Sequence, residues 1–234
     1  MVHKKIGKQQ RSRARALGPS AGPVPTTERT RDPEAVKADI LEAAIAEFGE
    51  KGLAGARVDE IAAATRTSKR MIYYYFESKE GLYLAALEAS YRRVRNTELG
   101  MHLNNMPPVE ALRCLTSVTF DHHLRNENYI RMVMAENINR GRYLAKSEHI
   151  QELNRPAIAL LRGIYERGVK EGVFLPGLDP ADIHASISAL AFFNVSNRHT
   201  FGLIFQLDNQ SPAYVAARRE NIVQMVLRYV QKTH

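Results

Sequence analysis

With 234 residues and 44% apolar side chains, the chain can bury a sizeable core, and no apolar run approaches the roughly 18 residues a membrane-spanning helix needs. Its one cysteine, Cys114, excludes an intramolecular disulfide framework and suits a reducing compartment, so a cytoplasmic location is expected. The net charge of +8 is uneven: residues 1–31 carry eight Lys and Arg against one acid, Glu28, for +7, and the remainder carries +1.

Those first 31 residues lack periodicity and contain Pro19, Pro23 and Pro25 with Gly18 and Gly22, the composition of a disordered basic arm. A solvated tail is one reading and a transit peptide another, although the prolines argue against the amphipathic helix a transit peptide needs. An arm adding phosphate or minor-groove contacts to nucleic acid fits better with the donor-rich pattern of residues 57–79. Asp32-Pro33 then reads as N-cap and first helical residue. Val36, Ile40, Leu41, Ala44, Ile45 and Phe48 mark one buried face of a helix to about residue 51, which Gly52 should end. Burying Phe48 stabilises by roughly 2 kcal/mol.

Residues 57–79 hold the most informative pattern. Val58, Ile61 and Ala62 predict a short helix over 58–64, interrupted by Thr65, Arg66 and Thr67. Ser68 is a suitable N-cap for a second short helix over 69–75, which Ile72 and Phe76 can anchor on a core. Its remaining surface offers Lys69, Arg70, Tyr73 and Tyr74, cations and hydroxylated rings without a carboxylate. Two short helices of this kind suit a DNA groove: Lys and Arg reach phosphates or the acceptor edge of guanine, and Tyr hydroxyls suit phosphate oxygens. Ser78-Lys79-Glu80 caps and opens a longer helix to about residue 96.

Five linked pieces, Phe48–Gly52, Ile61-Ala62, Ser68-Lys69, Ile72–Phe76 and Ser78–Leu82, resemble the DNA-binding domain of TetR-family transcriptional regulators over about 45 residues. The resemblance implies an all-α chain: the arm (1–31), a three-helix helix-turn-helix DNA-binding domain (32–78) and a larger helical ligand-binding and dimerisation domain (79–234). Lys69, Arg70, Tyr73 and Tyr74 are then expected to contact DNA, with Arg57, Thr67, Ser68, Tyr75 and Lys79 supporting through phosphates. Two positions depart from the family pattern. Arg57 stands where Thr or Ser usually caps the first short helix, and Arg66-Thr67 where the turn usually has Gly-Val. A left-handed Arg66 would cost roughly 1 kcal/mol relative to Gly; both changes add positive charge near the groove.

Beyond Pro107-Pro108 the pattern predicts helices over about 109–125, 127–140, 148–172, 180–201 and 212–232, with Pro156 a candidate irregularity. Polar groups on apolar faces are the candidate lining of a small-molecule pocket: His122, Met134, Asn137, Tyr165, Phe193, Asn194 and Asn197. Each alone is more often a satisfied core or interface group. His122 and His123 are adjacent, so their rings diverge by about 100° and cannot share one metal ion; no metal or other cofactor is expected. GxSxG, P-loop and GxGxxG motifs are absent, so no enzyme is expected. The resemblance implies a homodimer through the last two helices, a double-stranded DNA operator, a small-molecule effector, no membrane, and repression relieved by that effector. Activation and non-specific nucleic-acid or chromosome-organising binding stand as alternatives.

Overall fold

The structure, a computed structural model, describes residues 32–232; the basic arm of residues 1–31 lies outside them. Among the described residues ten α-helices follow one another with no strand: α1 (Pro33–Gly55), α2 (Val58–Thr65), α3 (Lys69–Phe76), α4 (Lys79–Leu99), α5 (Pro108–Arg125), α6 (Glu127–Ile138), α7 (Ile150–Lys170), α8 (Pro180–Ser196), α9 (Arg198–Phe205) and α10 (Pro212–Val230). Short 3-10 turns at Leu103–Asn105 and Leu144–Lys146 join the longer elements.

Gly52 does break the helical path, with φ 66° and ψ 173°, but one further turn follows it to Gly55. Glycine adopts that φ at no steric cost. Pro156 lies inside α7 without ending it. The predicted single helix over 180–201 is instead α8 and α9, meeting at Asn197, whose φ of −110° and ψ of 5° leave the helical basin. Asn194, Ser196 and Asn197 crowd that point, and their short polar side chains compete with the helix for backbone partners.

One core cluster gathers Ile40, Ala44 and Phe48 of α1 with Val58 and Ile61 of α2, Ile72 of α3 and Leu82, Tyr83 and Leu87 of α4. Met132 of α6 belongs to it too, so the apolar interior of the N-terminal helices runs on into the body. Rings link the two: Phe48 meets Tyr83 edge-on at 5.1 Å, and Tyr83 meets Tyr143, beyond α6, at 5.5 Å. The buried Glu136 carboxylate holds Tyr143 in place by accepting from the Tyr143 and Leu144 amides at 3.2 and 3.0 Å. Where α1 crosses α6, a Cβ on Gly49 would lie 2.6 Å from Asn128 Cβ and 2.8 Å from its Cα, so only glycine permits this approach.

A second cluster fills the body with Leu112 and Leu115 of α5, Leu161 and Ile164 of α7, Ile183 and Ile187 of α8, and Val223, Val226 and Val230 of α10. Tyr165 pins the loop after α7: its hydroxyl donates to Leu175 O at 2.7 Å and accepts from Leu178 N–H at 2.9 Å.

Candidate nucleic-acid interface

The interface begins with how α3 is held. Ser68 caps its start, accepting from Met71 N–H at 3.2 Å, and keeps its own hydroxyl proton free to donate outward. At the other end Glu77 takes φ 62° and ψ −50° while Ser78 N–H donates to Phe76 O at 2.6 Å, a γ-turn. Ser78 Oγ then caps α4, accepting from Gly81 N–H at 2.9 Å. Helix α3 is thereby fixed between two serine caps with no slack on its C-terminal side.

Ile72 is fully buried beneath α3, while Lys69, Arg70, Met71, Tyr73 and Tyr74 are exposed, Tyr74 at 76%. No acid lies on α3. Lys69 reaches Asp59 of α2 at 3.1 Å, but both side chains are half exposed, so the pair is weak and a phosphate can displace it. Lys79 Nζ donates to Ala54 O at 3.3 Å, tying the start of α4 to the end of α1.

Arg57 is the N-cap of α2 and makes no side-chain cap bond. A carboxylate from α1 substitutes in part: Glu47 Oε1 accepts the Arg57 amide at 3.0 Å, and Asp59 and Glu60 place negative charge in the first turn of α2. The Arg57 side chain is left in solvent. Arg66 adopts φ 52° and ψ 35°, the left-handed conformation the turn requires. Its N–H donates to Ala63 O at 3.4 Å and Thr67 N–H to Ala62 O at 3.1 Å, the paired bonds of a Schellman motif. Thr67 Oγ1 donates back to Thr65 O at 3.3 Å. Tyr75 is half-buried, with Lys37 Nζ of α1 5.4 Å from its ring centroid. Lys37 is absent from the sequence-derived set because periodicity alone marks it only as a solvent-facing position.

In the body, α4, α5, α6 and α8 enclose a polar layer. Arg95 and Glu98 of α4 pair at 2.6 Å with side chains 10% and 8% exposed. Burial lifts the Glu98 carboxyl above its usual range while Arg95 pulls it back. His122 and His123 of α5 are buried beside Tyr129 of α6, and His184 of α8 lies near. Burial lowers all three imidazoles, with nearby Arg95 adding to the effect; His123 is taken down to about 4. Arg95 Nε, His122 Nε2 and His123 Nδ1 are buried without a partner. Among the described residues no group of three His, Cys, Asp or Glu could hold a metal ion.

The sequence-derived pocket residues separate in space. His122 joins the polar layer and also lines a cleft of about 420 Å³ between α1, α4 and the α5–α6 corner. Phe193, Asn194 and Asn197 share a smaller recess of about 120 Å³ under α9 and α10, where Asn194 Oδ1 accepts from Arg218 Nε at 3.0 Å. Met134 lines a third depression, where α6 meets the end of α1. Asn137 is exposed near the end of α6, its amide donating to Val133 O at 2.9 Å, and the Tyr165 hydroxyl is taken up by the loop it pins. Sequence reasoning passed over Arg95 and Glu98, because charged residues on a helix read as a solvent face, and it weighed His123 and His184 only as metal ligands.

Residues 40–86 match the family described as "Bacterial regulatory proteins, tetR family", and residues 108–226 match "Tetracyclin repressor-like, C-terminal domain". The HTH-type transcriptional repressor NicS of Pseudomonas putida is 33% identical over 181 residues, which are 77% of this chain and 82% of the relative. The HTH-type transcriptional repressor SCO4008 of Streptomyces coelicolor is 34% identical over 140 residues, 59% of this chain and 69% of the relative. Among solved structures, the transcriptional regulator SCO4942 of Streptomyces coelicolor superposes with a TM-score of 0.61 at 26% identity, covering 83% of this chain and 98% of its own.

Proposed function

The chain belongs to the TetR family of transcriptional regulators, and from that premise we propose a ligand-responsive repressor that binds a palindromic operator as a dimer. The carrying observation is the exposed, acid-free face of α3, held between the Ser68 and Ser78 caps. Arg70, Tyr73 and Tyr74 enter the major groove, and Lys69 exchanges Asp59 for a phosphate. Arg57, Thr67, Ser68, Tyr75 and Lys79 support from the flanks. The arm, with its +7 charge, adds sequence-independent affinity that falls with salt.

One such head makes few contacts, so two are needed. The outer surface of α8 to α10 favours self-association: Phe193, Leu203, Ile204, Phe205, Met225 and Tyr229 are all exposed, Leu203 at 80%. A two-fold dimer through α8 and α10 would set two α3 helices roughly 34–36 Å apart, or a multiple of that spacing. Residues 32–78 act as the head and 79–234 as the body that receives an effector. The Phe48–Tyr83–Tyr143 ring contacts and the Gly49–Asn128 crossing support direct coupling of the two. An effector that weakens operator binding must itself be weakened by the operator by the same factor.

Footprinting of the full chain on DNA flanking its own gene tests the reading. A single protected palindrome is expected. Uniform coating would favour the non-specific, chromosome-organising alternative and overturn it.

A further inference from the structure

Resting on the effector-responsive reading and deepening it, we infer that the recess under α9 is the effector site and that its occupant is a carboxylate on a single aromatic ring. The recess lies where α5, α8, α9 and α10 meet. Its volume of about 120 Å³ is below the ~300–1,000 Å³ of drug-sized sites and near the roughly 150 Å³ of a cavity that accepts benzene. One ring fits and two fused rings do not.

The walls supply the apolar half of the site. Phe120 of α5, Phe193 of α8, Phe201 of α9 and Tyr214 of α10 all contribute to the lining. Phe193 and Phe201 meet edge-on at 5.5 Å across the point where α8 gives way to α9. A further planar ring packs against such a pair edge-to-face or offset. Phe193 is 41% exposed, so the recess communicates with solvent on that side.

The polar half is one arginine. No Asp or Glu lines the recess. Arg198 lines it but is neutralised by Glu127 at 3.0 Å, and its remaining Nη2 is sealed from solvent, so it has nothing to offer a ligand. Arg218 differs. Among the described residues its hydrogen bond is from Nε to Asn194 Oδ1 at 3.0 Å, and no carboxylate comes within ion-pair reach of it. The side chain is only part-buried and both Nη nitrogens stay accessible. Asn194 is itself held, because its Nδ2 donates to Leu190 O one turn back, which turns Oδ1 towards Arg218. The guanidinium is therefore fixed by its Nε, and the edge formed by the two Nη groups is left open. That edge matches the two oxygens of a carboxylate, which would meet it with two parallel charge-assisted bonds.

The recess also has a route to the operator. Phe193 belongs both to its wall and to the exposed apolar surface proposed for self-association, and Arg218 is on α10, which carries the rest of that surface. An occupant that moves Phe193 and α10 resets how two copies meet, and with it the spacing of their α3 helices.

Calorimetric titration of the full chain with benzoate tests the inference against three probes that each lack one feature. Benzamide keeps the ring without the charge, acetate keeps the charge without the ring, and 2-naphthoate exceeds the recess. Saturable benzoate binding is expected, with each of the three weaker by about tenfold or more. Arg218→Gln should weaken benzoate by about tenfold or more, while Arg218→Lys, which keeps the charge and loses the fork, should fall between it and the parent. Tm should be unchanged in both variants, which separates this loss from a damaged fold. Absent binding at about 10 mM, equal binding of benzamide, or indifference to Arg218→Gln overturns the inference. So does benzoate binding that leaves operator occupancy unchanged. An Arg218→Gln chain that loses its dimer yet binds benzoate like the parent also overturns it, by giving Arg218 to the partner copy. If a palindrome is protected but benzoate does not bind, the inference falls and the regulator stands; if no palindrome is protected, the regulator reading itself falls.

Discussion

Gly81 lies under the carbonyl oxygen of Phe76 so closely that a Cβ added there would sit 2.2 Å from that oxygen. The γ-turn at Glu77 makes this approach possible by reversing the chain within a single residue. Gly81→Ala must therefore displace backbone, at a cost of about 1–3 kcal/mol. The expected outcome is a lower Tm together with weakened operator binding, read by thermal melts and fluorescence anisotropy. An alanine variant that binds operator like the parent would show that the α3–α4 junction is not what orients α3.

Arg66→Gly separates stability from binding. Relief of the left-handed conformation at φ 52° should stabilise the chain by about 1 kcal/mol. Loss of a cation beside α3 should weaken operator binding and reduce the log-salt slope by about 1. Melting and salt-dependent anisotropy on the same sample measure both. An unchanged affinity and slope would remove Arg66 from the interface.

Arg70→Ala deletes an exposed cation from α3 without touching the core. A loss of about 1–3 kcal/mol in specific binding is expected, with relaxed preference at one base position, if Arg70 reads a guanine. A uniform loss across all sequences would reassign it to phosphate. Tm should stay unchanged in either case.

The buried histidines predict acid sensitivity. His123 is held at about 4, below the ordinary imidazole value of 6.5, by burial, reinforced by His122, Arg95 and His184, with Tyr129 packed against its ring. The unfolded chain binds this proton first, so the stability His123 contributes is intact above pH ~6.5 and is lost as pH falls towards 4, to an extent on the order of 3 kcal/mol. Glu98, whose carboxyl is raised by burial, works in the opposite sense. Chemical denaturation between pH 7 and 4.5 should show a slope that His123→Leu flattens.

Tyr165→Phe removes the hydroxyl that serves both Leu175 O and Leu178 N–H. A stability loss of about 1–3 kcal/mol is expected, with operator affinity preserved, because the hydroxyl is occupied within the fold. A selective loss of ligand affinity would instead return Tyr165 to the pocket.

Much of this architecture was legible in the sequence because local chemistry decides it. Ser68 and Ser78 each cap a helix through a side-chain oxygen, as their positions before helical patterns predict, and Asp179 and Ser211 do the same ahead of α8 and α10. The α3 face was legible because an acid-free, donor-rich surface over a buried Ile72 needs no tertiary information. The polar layer was not, because it depends on what surrounds α5. That helix packs against α7, α8 and α10 together, so the adjacent His122 and His123 diverge and yet both are buried. Arg95 and Glu98 neutralise each other across one turn of α4, a pairing that periodicity reads as exposure. Asn137 shares its stripe with Ile130 and Val133, but α6 ends beside it, leaving neighbouring Ile138 80% exposed.

The crossing at Gly49 bears on how this chain can evolve. Shrinking the facing side chain cannot make room for a substituent at position 49, because the Asn128 α-carbon itself stands 2.8 Å from where a Cβ would be. No single compensating substitution at 128 can rescue a change at 49. The α3 face is then free to diversify around this pivot, and change at the pivot would require the whole α1–α6 contact to be rebuilt.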